Sequence, residues 1–369
     1  MDADFLVIGA GIAGASAAFE LSKHGRVVML EREDQPGYHT TGRSAALFTE
    51  TYGNATIRAL TRASRGFLTA PQTGFADAPL LKPRGVVTFA AADQHTAFAA
   101  ALAEYGKHVE EIDVTRAASL FPPLDRGVTR YAHYEADAMD MDVHAILQGF
   151  LKGFRARGGV LHTGQSIARI ERGWTVDTGG AMFSAPVLVN AAGAWADEVA
   201  RLAGVPTIGL VPKRRTVLMF EPPRDTNIDR WPLAIDIAET CYVKPDAGRL
   251  LCSPADETPS PPTDAQPDEY DIALAIDRLQ RFTTLRVERV THKWAGLRSF
   301  VADKTMVAGH APGAPGFVWA AAQGGYGIQT SPAMGRVVAA LASGRAIPAD
   351  IADQGVSAAA LDPARLRAR

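Results

Sequence analysis

An α/β fold is predicted by three short buried strands that each run into glycine-rich sequence, at the start, middle and end of the 369-residue chain. Phe5-Leu6-Val7-Ile8 leads into Gly9-Ala10-Gly11-Ile12-Ala13-Gly14. Ala185-Pro186-Val187-Leu188-Val189-Asn190 leads into Ala191-Ala192-Gly193, and Phe317-Val318-Trp319-Ala320-Ala321 into Gly324-Gly325-Tyr326-Gly327. Apolar runs of this length bounded by glycine read as strands of a parallel sheet covered on both faces. The sequence between them differs in character. Residues 80–140 and 210–297 carry short β-rich runs, such as Gly85–Ala90 and Thr216–Phe220, broken by prolines. The economical architecture is a discontinuous Rossmann-like domain, of the glutathione-reductase type, over residues 1–79, 141–209 and 298–369. An inserted, mostly antiparallel β-sheet substrate domain takes residues 80–140 and 210–297.

In the first unit, Ala15 to His24 reads as a small-residue helix that Gly25 ends,. Arg26-Val27-Val28-Met29-Leu30 is the second strand, closing on Glu31. A last helix is expected from about Ser331 to Ala342. Residues 254–267 hold five prolines and several acids, so an exposed loop is expected there,. Cys241 and Cys252 flank a turn at Lys244–Gly248 and are expected to face each other as reduced, buried thiols,. Two cysteines can supply neither a disulfide framework nor a four-cysteine zinc site.

Composition narrows the function classes. Hydrophobic residues make up 47% and charged residues 21%, with a net charge of −2. That balance argues against nucleic acid or an anionic membrane as the main partner, since both favour a strongly basic face. No apolar run reaches the ~18 residues of a membrane-spanning helix. Met-Asp-Ala-Asp goes straight into a strand with no basic region before it, so no signal peptide is expected and a cytoplasmic location is,.

The G-x-G-x-x-G at Gly9–Gly14 is a weak signal by itself. Here it follows an apolar strand, opens a helix, and is followed by an acid at the end of the next strand. Gly9 suits a tight turn, Gly11 a close approach of backbone to a pyrophosphate, and Gly14 close helix–strand packing. The helix start offers free N–H groups and partial positive charge to phosphates. Glu31 suits ribose hydroxyls. A second glycine-rich βαβ unit, expected of an NAD(P)-dependent flavin reductase, is absent from the sequence. Gln323–Ser331 instead makes a glycine-rich loop before the last helix, suited to the negative charge that the N1–C2=O edge of a reduced flavin develops,.

Longer stretches carry a resemblance. Gly37-Tyr38-His39, Gly42-Arg43-Ser44-Ala45-Ala46, Val189–Trp195, Pro212-Lys213-Arg214-Arg215, Trp294–Asp303 and Ala321–Thr330 together resemble the D-amino-acid oxidase superfamily of flavoproteins along essentially the full chain. Within it they are similar to the bacterial FAD-dependent D-arginine dehydrogenases. The resemblance implies FAD-dependent oxidative deamination, a hydride passing from the substrate Cα to flavin N5 and the imino acid being hydrolysed. It assigns Gly9, Gly11, Ile12, Ala13 and Gly14 to the cofactor, with Glu31 and Arg32 at its adenosine end. Thr41, Gly42, Arg43, Ser44, Ala45 and Ala46 are assigned to the pyrophosphate and flavin. Ile167, Ala192, Gly193, Trp195, Gly324, Gly325, Tyr326, Gly327, Ile328 and Gln329 complete the cofactor set. Arg215 and Arg298 would grip the substrate carboxylate, a guanidinium matching it with two parallel hydrogen bonds, and Arg298 also borders the cofactor. Tyr52 and Tyr242 would add hydroxyl contacts, and Gly325 and Gln329 would meet the flavin face and the substrate amine.

Two departures set the expected pocket, formed with Leu47, Gly85, Ile235 and Gly325. Leu47 stands where the D-arginine dehydrogenases place a histidine. Leu81-Lys82-Pro83-Arg84 runs directly into Gly85-Val86-Val87, without the glutamate that receives a substrate guanidinium. A desolvated arginine side chain needs an anionic partner, so uncharged amino acids are expected to be preferred. Acids from residues 254–269, namely Asp256, Glu257, Asp264, Asp268 and Glu269, remain candidates to supply that partner. The flavinylating cysteine of sarcosine-oxidase-like relatives is missing from Trp294–Phe300, so FAD is expected to be non-covalent. His39, His144, His292 and His310 read as structural or surface residues. Oxidation of a secondary amine or a 2-hydroxy acid, or a weakly active flavin-binding protein, stays open. So does the electron acceptor: oxygen, a quinone or another carrier.

Overall fold

The computed structural model describes residues 2–366. Its principal strands, in chain order, are β1 (Phe5–Ile8), β2 (Val27–Leu30), β3 (Val86–Ala90), β4 (Glu110–Ile112), β5 (Tyr131–Glu135), β6 (Val160–His162), β7 (Val187–Asn190) and β8 (Val211–Phe220). There follow β9 (Leu233–Asp236), β10 (Tyr242–Asp246), β11 (Arg249–Ser253), β12 (Thr258–Pro259), β13 (Val290–Phe300), β14 (Val307–His310) and β15 (Phe317–Ala321). The principal helices are α1 (Ile12–Leu21), α2 (Ala55–Thr69), α3 (His95–Tyr105), α4 (Val143–Ala156) and α5 (Gly327–Ala342).

A six-stranded sheet runs in the order β14-β15-β7-β1-β2-β6, parallel except for β14. The three strands expected from the sequence are therefore spatial neighbours. α1 packs between this sheet and the helices α4 and α5, in a core that includes Ala15, Ala18, Phe19, Phe150, Phe154 and Val337. Small residues make the approach possible: a Cβ on Gly335 would lie 2.6 Å from the Ser16 carbonyl oxygen.

Both helix boundaries differ from the expected ones. α1 starts at Ile12, not Ala15, because only Gly9–Gly11 is needed for the turn and the Thr41 hydroxyl accepts the Ile12 N–H at 3.0 Å. It ends at Leu21, and Ser22 to His24 tighten into a turn. α5 starts at Gly327, not Ser331, and carries Pro332 inside. Proline leaves the Ile328 carbonyl without its helical donor, and the Ser331 hydroxyl fills that place at 2.8 Å,.

The second layer is a nine-stranded sheet in the order β12-β8-β11-β10-β9-β3-β5-β4, with β13 along the other side of β8. Only the β3–β9 pair is parallel. Strand alternation decides what faces where. Ala132 on β5 and Ala234 on β9 point into a core with the helix Glu269–Phe282. Leu233, Ile235 and Tyr242 point to the other face, towards Ala45 and Leu47. Residues 254–267 are not a free loop. β12 pairs with β8, Asp256 accepts from Thr216 N and Oγ1 at 2.6 and 3.0 Å, and Asp264 pairs with Arg43. Cys241 and Cys252 are buried free thiols with sulfurs 3.8 Å apart. No helix among the described residues is long and apolar enough to cross a membrane.

Candidate active site

The glycine turn builds a cradle. Gly9 holds φ +97°, and a Cβ there would sit 2.5 Å from the Ala191 carbonyl oxygen at the end of β7. A Cβ on Gly14 would lie 1.9 Å from the Gly9 oxygen. Gly11 has only the Thr41 hydroxyl nearby, leaving its other side open. A cavity of about 210 Å³ begins here, lined by Gly9, Gly11, Glu31, Arg32, Thr41, Ile167, Ala192, Gly193 and Trp195. Glu31 accepts the N–H groups of Ala10 and Glu33 at 2.7 and 3.0 Å, which still leaves carboxylate lone pairs for a ligand,. The Arg32 guanidinium stacks 4.2 Å over the Trp195 ring, which also packs against His39.

A second cavity of about 110 Å³ continues from the first through Gly11, Thr41 and Gly193. It is lined by Ile12, Ala13, Arg43, Ser44, Ala45, Arg298, Gly324, Gly325, Gly327 and Ile328. The N-terminus of α5 opens into it with no side-chain cap, so its N–H groups and dipole face the space,. Ala322 and Gly324 are both left-handed, at φ +60° and +52°. For alanine that conformation costs about 1–3 kcal/mol and marks a loop held by its surroundings. A Cβ on Gly325 would meet Arg298 Nη1 at 2.9 Å and Tyr52 Oη at 3.0 Å. Uncapped helix starts, backbone cradles without Cβ atoms and an acid at the end of β2 fit a dinucleotide.

The third cavity, about 140 Å³, shares Ser44, Ala45, Arg215, Tyr242, Arg298 and Gly325 with the second. Arg215 on β8 faces Gly296 on β13, so Arg298 two residues along is its diagonal neighbour on the same face,. Arg298 donates to Tyr52 Oη at 3.0 Å and has no carboxylate within 4.0 Å among the described residues. Arg215 is held by the Asp256 carbonyl at 2.9 Å, with Glu257 at 3.7 Å. Tyr52, Arg215, Tyr242 and Arg298 thus converge on one space with Ala46, Leu47 and Ile235.

Other expected residues lie elsewhere. Gln329 is buried outside these cavities: its amide donates to Thr61 Oγ1 at 2.8 Å and accepts from Thr49 N at 3.3 Å, so α2 takes the contact expected for the substrate amine. Gly85 packs on Tyr134, whose hydroxyl would be 2.4 Å from a Cβ there, and its neighbour Val86 faces the cavity instead. Gly42 and Gly14 pack on the carbonyls of Gly37 and Gly9 without lining a cavity. The Arg43 guanidinium is taken by the carbonyls of Ala265 and Ala295 and by Asp264, which leaves its inner part at the cavity wall. Tyr326 packs edge-on against Tyr52, with ring centroids 4.8 Å apart, and faces a neighbouring opening.

None of the five acids between 254 and 269 lines the third cavity. Asp256 is taken by Thr216, Glu257 by Lys213, Asp264 by Arg43, Asp268 by the helix it caps, and Glu269 by Lys293. The acids that do line it are Asp236, which closes its own turn through Thr240 N and Cys241 N, and Glu239. Glu239 sits at the mouth in a left-handed turn, φ +53°. Desolvation pushes its carboxyl up from the ordinary range, opposed by Arg215 and Arg298. His133, Tyr105 and Thr88 also line the cavity. Their sequence context holds no motif; the pairing of β3, β5 and β9 brings Thr88 and His133 there, and the end of α3 brings Tyr105.

Comparison with known proteins accords with this geometry. A family model described as FAD dependent oxidoreductase (DAO) matches residues 4–341. The FAD-dependent oxidoreductase domain-containing protein 1 of Bos taurus is 29% identical over 173 residues, 42% of this chain and 35% of that protein. The chain thus spans about a third of that curated relative's length. The uncharacterized oxidoreductase YurR of Bacillus subtilis (strain 168) is 22% identical over 369 residues, covering 94% of this chain and 96% of that one. Glycine oxidase from Geobacillus kaustophilus superposes with a TM-score of 0.80 at 22% identity, over 93% of this chain and 95% of that one. L-proline dehydrogenase from P. horikoshii superposes with a TM-score of 0.82 at 19% identity, over 99% and 98%. The likeness in fold runs over nearly the whole molecule, and the match to the family model spans more than nine-tenths of it: the chain belongs to the FAD-dependent oxidoreductase family.

Proposed function

We propose that the protein oxidises the carbon–nitrogen bond of a D-amino acid using non-covalently bound FAD, and prefers uncharged side chains to D-arginine. The observation that carries this is the convergence of Arg215, Arg298, Tyr52 and Tyr242 on a cavity continuous with the glycine-lined cleft. A bound flavin supplies the hydride acceptor. The protein's own part is positional. Arg298, lacking a carboxylate partner, binds the α-carboxylate; Arg215 and the two phenols fix its angle; and the wall of Ala46, Leu47, Val86, Leu233 and Ile235 takes an uncharged side chain,. No side-chain base is required once the amine enters neutral. Structural neighbours named for glycine and L-proline support an amino-acid substrate. The D-configuration rests on the sequence likeness to D-arginine dehydrogenases.

Two results are expected. Acid precipitation of the yellow protein should release FAD into the supernatant, because Trp294–Phe300 holds no cysteine and neither Cys241 nor Cys252 lines any of the three cavities described above. Colour that stays in the pellet, or NAD in its place, would overturn that assignment. In steady-state assays, D-leucine, D-methionine or D-phenylalanine should give a higher kcat/KM than D-arginine or D-lysine. Each buried methylene gains about 0.8 kcal/mol, whereas a guanidinium in the same space loses its hydration. Glu239 favours a second reading, in which it receives a cationic side chain at the mouth. D-arginine outperforming every uncharged substrate, with that advantage lost in Glu239→Gln, would establish the second reading.

A further inference from the structure

The third cavity has a polar wall that the carboxylate clamp does not use. His133 is 2% exposed, and neither of its ring nitrogens has a hydrogen-bond partner among the described residues. Buried polar atoms are paired in the great majority of cases, so an orphaned imidazole marks strain, an ordered water or a ligand contact. Strain is not indicated: His133 sits within the regular strand β5, opposite Thr88 on β3, with its ring packed against Phe98 and Tyr105. Thr88 and Tyr105 line the same cavity, and no side-chain hydrogen bond from either occurs among the described residues. Three side chains with both donor and acceptor capacity therefore share one wall without protein partners.

Sheet order gives the distance from the clamp. Tyr242 is on β10, and β9 and β3 lie between it and β5. At about 4.8 Å per strand the backbone separation is roughly 14 Å, which both side chains shorten by reaching inward. Apolar Leu233, Ile235 and Val86 line the interval. The sequence of surfaces is thus clamp, apolar stretch, polar wall. A substrate held by its carboxylate would run a long side chain across the apolar stretch and end at His133.

From this arrangement we infer that His133, Thr88 and Tyr105 form a subsite for a neutral hydrogen-bonding group, a hydroxyl or carboxamide, at the tip of a long substrate side chain. It rests on the amino-acid reading above and sharpens it from uncharged to uncharged with a polar end. A site built to bond a hydroxyl discriminates against the analogue lacking it, whose entry leaves the wall's polar groups unpaired.

The test pairs tyrosine with phenylalanine and glutamine with methionine, both enantiomers of each, in anaerobic reduction of the holoenzyme's flavin. Binding of α-methyltyrosine and α-methylphenylalanine, which lack the Cα–H and cannot be oxidised, is read from perturbation of the flavin spectrum. Tyrosine and its α-methyl analogue should be favoured over their phenyl counterparts by about tenfold, the range of one to two hydrogen bonds. In His133→Phe that ratio should collapse towards one, through KM more than kcat, and Thr88→Val should lower it in part. The flavin spectrum checks folding of each variant. Equal binding of the two α-methyl compounds to the parent, or a ratio unmoved in His133→Phe, overturns the subsite while leaving amino-acid oxidation standing. Failure of every amino acid to bleach the flavin, with no α-methyl binding, overturns both.

Discussion

Replacing Arg298 by lysine should lower kcat/KM by about 10²-fold or more, because breaking a buried charge-assisted pair costs roughly 3–5 kcal/mol and an ammonium restores only part of it. The guanidinium serves two directions at once. It holds Tyr52 Oη at 3.0 Å and lies against Gly325, where a Cβ would come within 2.9 Å. A lysine ammonium offers a point charge with no planar fork, so one of those directions is lost. If Arg298 binds the substrate carboxylate as proposed, both kcat and KM should suffer, since that contact would anchor the Cα–H that must face the flavin. The flavin absorption spectrum should persist, because Glu31, Arg32, Ile167 and Trp195 line the far end of the cleft, which Arg298 does not reach. Unchanged kinetics in Arg298→Lys and Arg215→Lys together would remove the clamp from the mechanism.

The second large effect is on stability against pH. Desolvation lowers the His133 imidazole from its ordinary 6.5 to about 4. Below pH 6.5 the unfolded chain takes up a proton that the folded protein refuses until about pH 4. The unfolded state therefore binds more protons across that window, and stability falls as pH falls through it. The slope is about 1.4 kcal/mol per pH unit and the total roughly 3 kcal/mol. Urea midpoints between pH 7.5 and 4.5 should show this loss in the parent and not in His133→Phe. Buried carboxyls such as Glu135 and Asp256, both pushed up by burial, act in the opposite sense. They are common to both proteins and cancel in the difference. A flat difference curve would show that the imidazole is solvated or paired.

Much of the glycine-lined cleft was legible in the sequence because its determinants are local. Gly9, Gly11 and Gly14 act through backbone conformation and contacts within one strand–turn–helix unit, and the three expected strands lie together as β1, β7 and β15. Arg215 and Arg298 could be paired because their motifs are long. What escaped was set by distant partners. Gln329 faces away from the cavities because α2 brings Thr61 to its amide. The prolines of 254–267 suggested an exposed loop without an element; the short β12 within it and its acids anchor it across β8, and no local pattern gave those partners. Glu239 owes its place to a left-handed turn, and His133 to the register of β5 against β3. No local pattern encodes such a register.

Strand order in the six-stranded sheet also bears on how the chain is made. β1 leaves the ribosome well before its neighbour β7, which begins at Val187, and before α5, which packs on α1 and begins at Gly327. At ~5–20 residues per second, α5 follows α1 by roughly 15–60 s. Throughout that interval the part of α1 that α5 covers stays open although α4 is already made, and transiently exposed apolar surface of that kind is what chaperones bind,. Such widely separated contacts also slow folding once synthesis ends. The cradle at Gly9 needs the Ala191 carbonyl beside it, so it cannot close before β7 has docked. Chains truncated before Ala191 should therefore be colourless, and flavin uptake during translation should not precede the docking of β7.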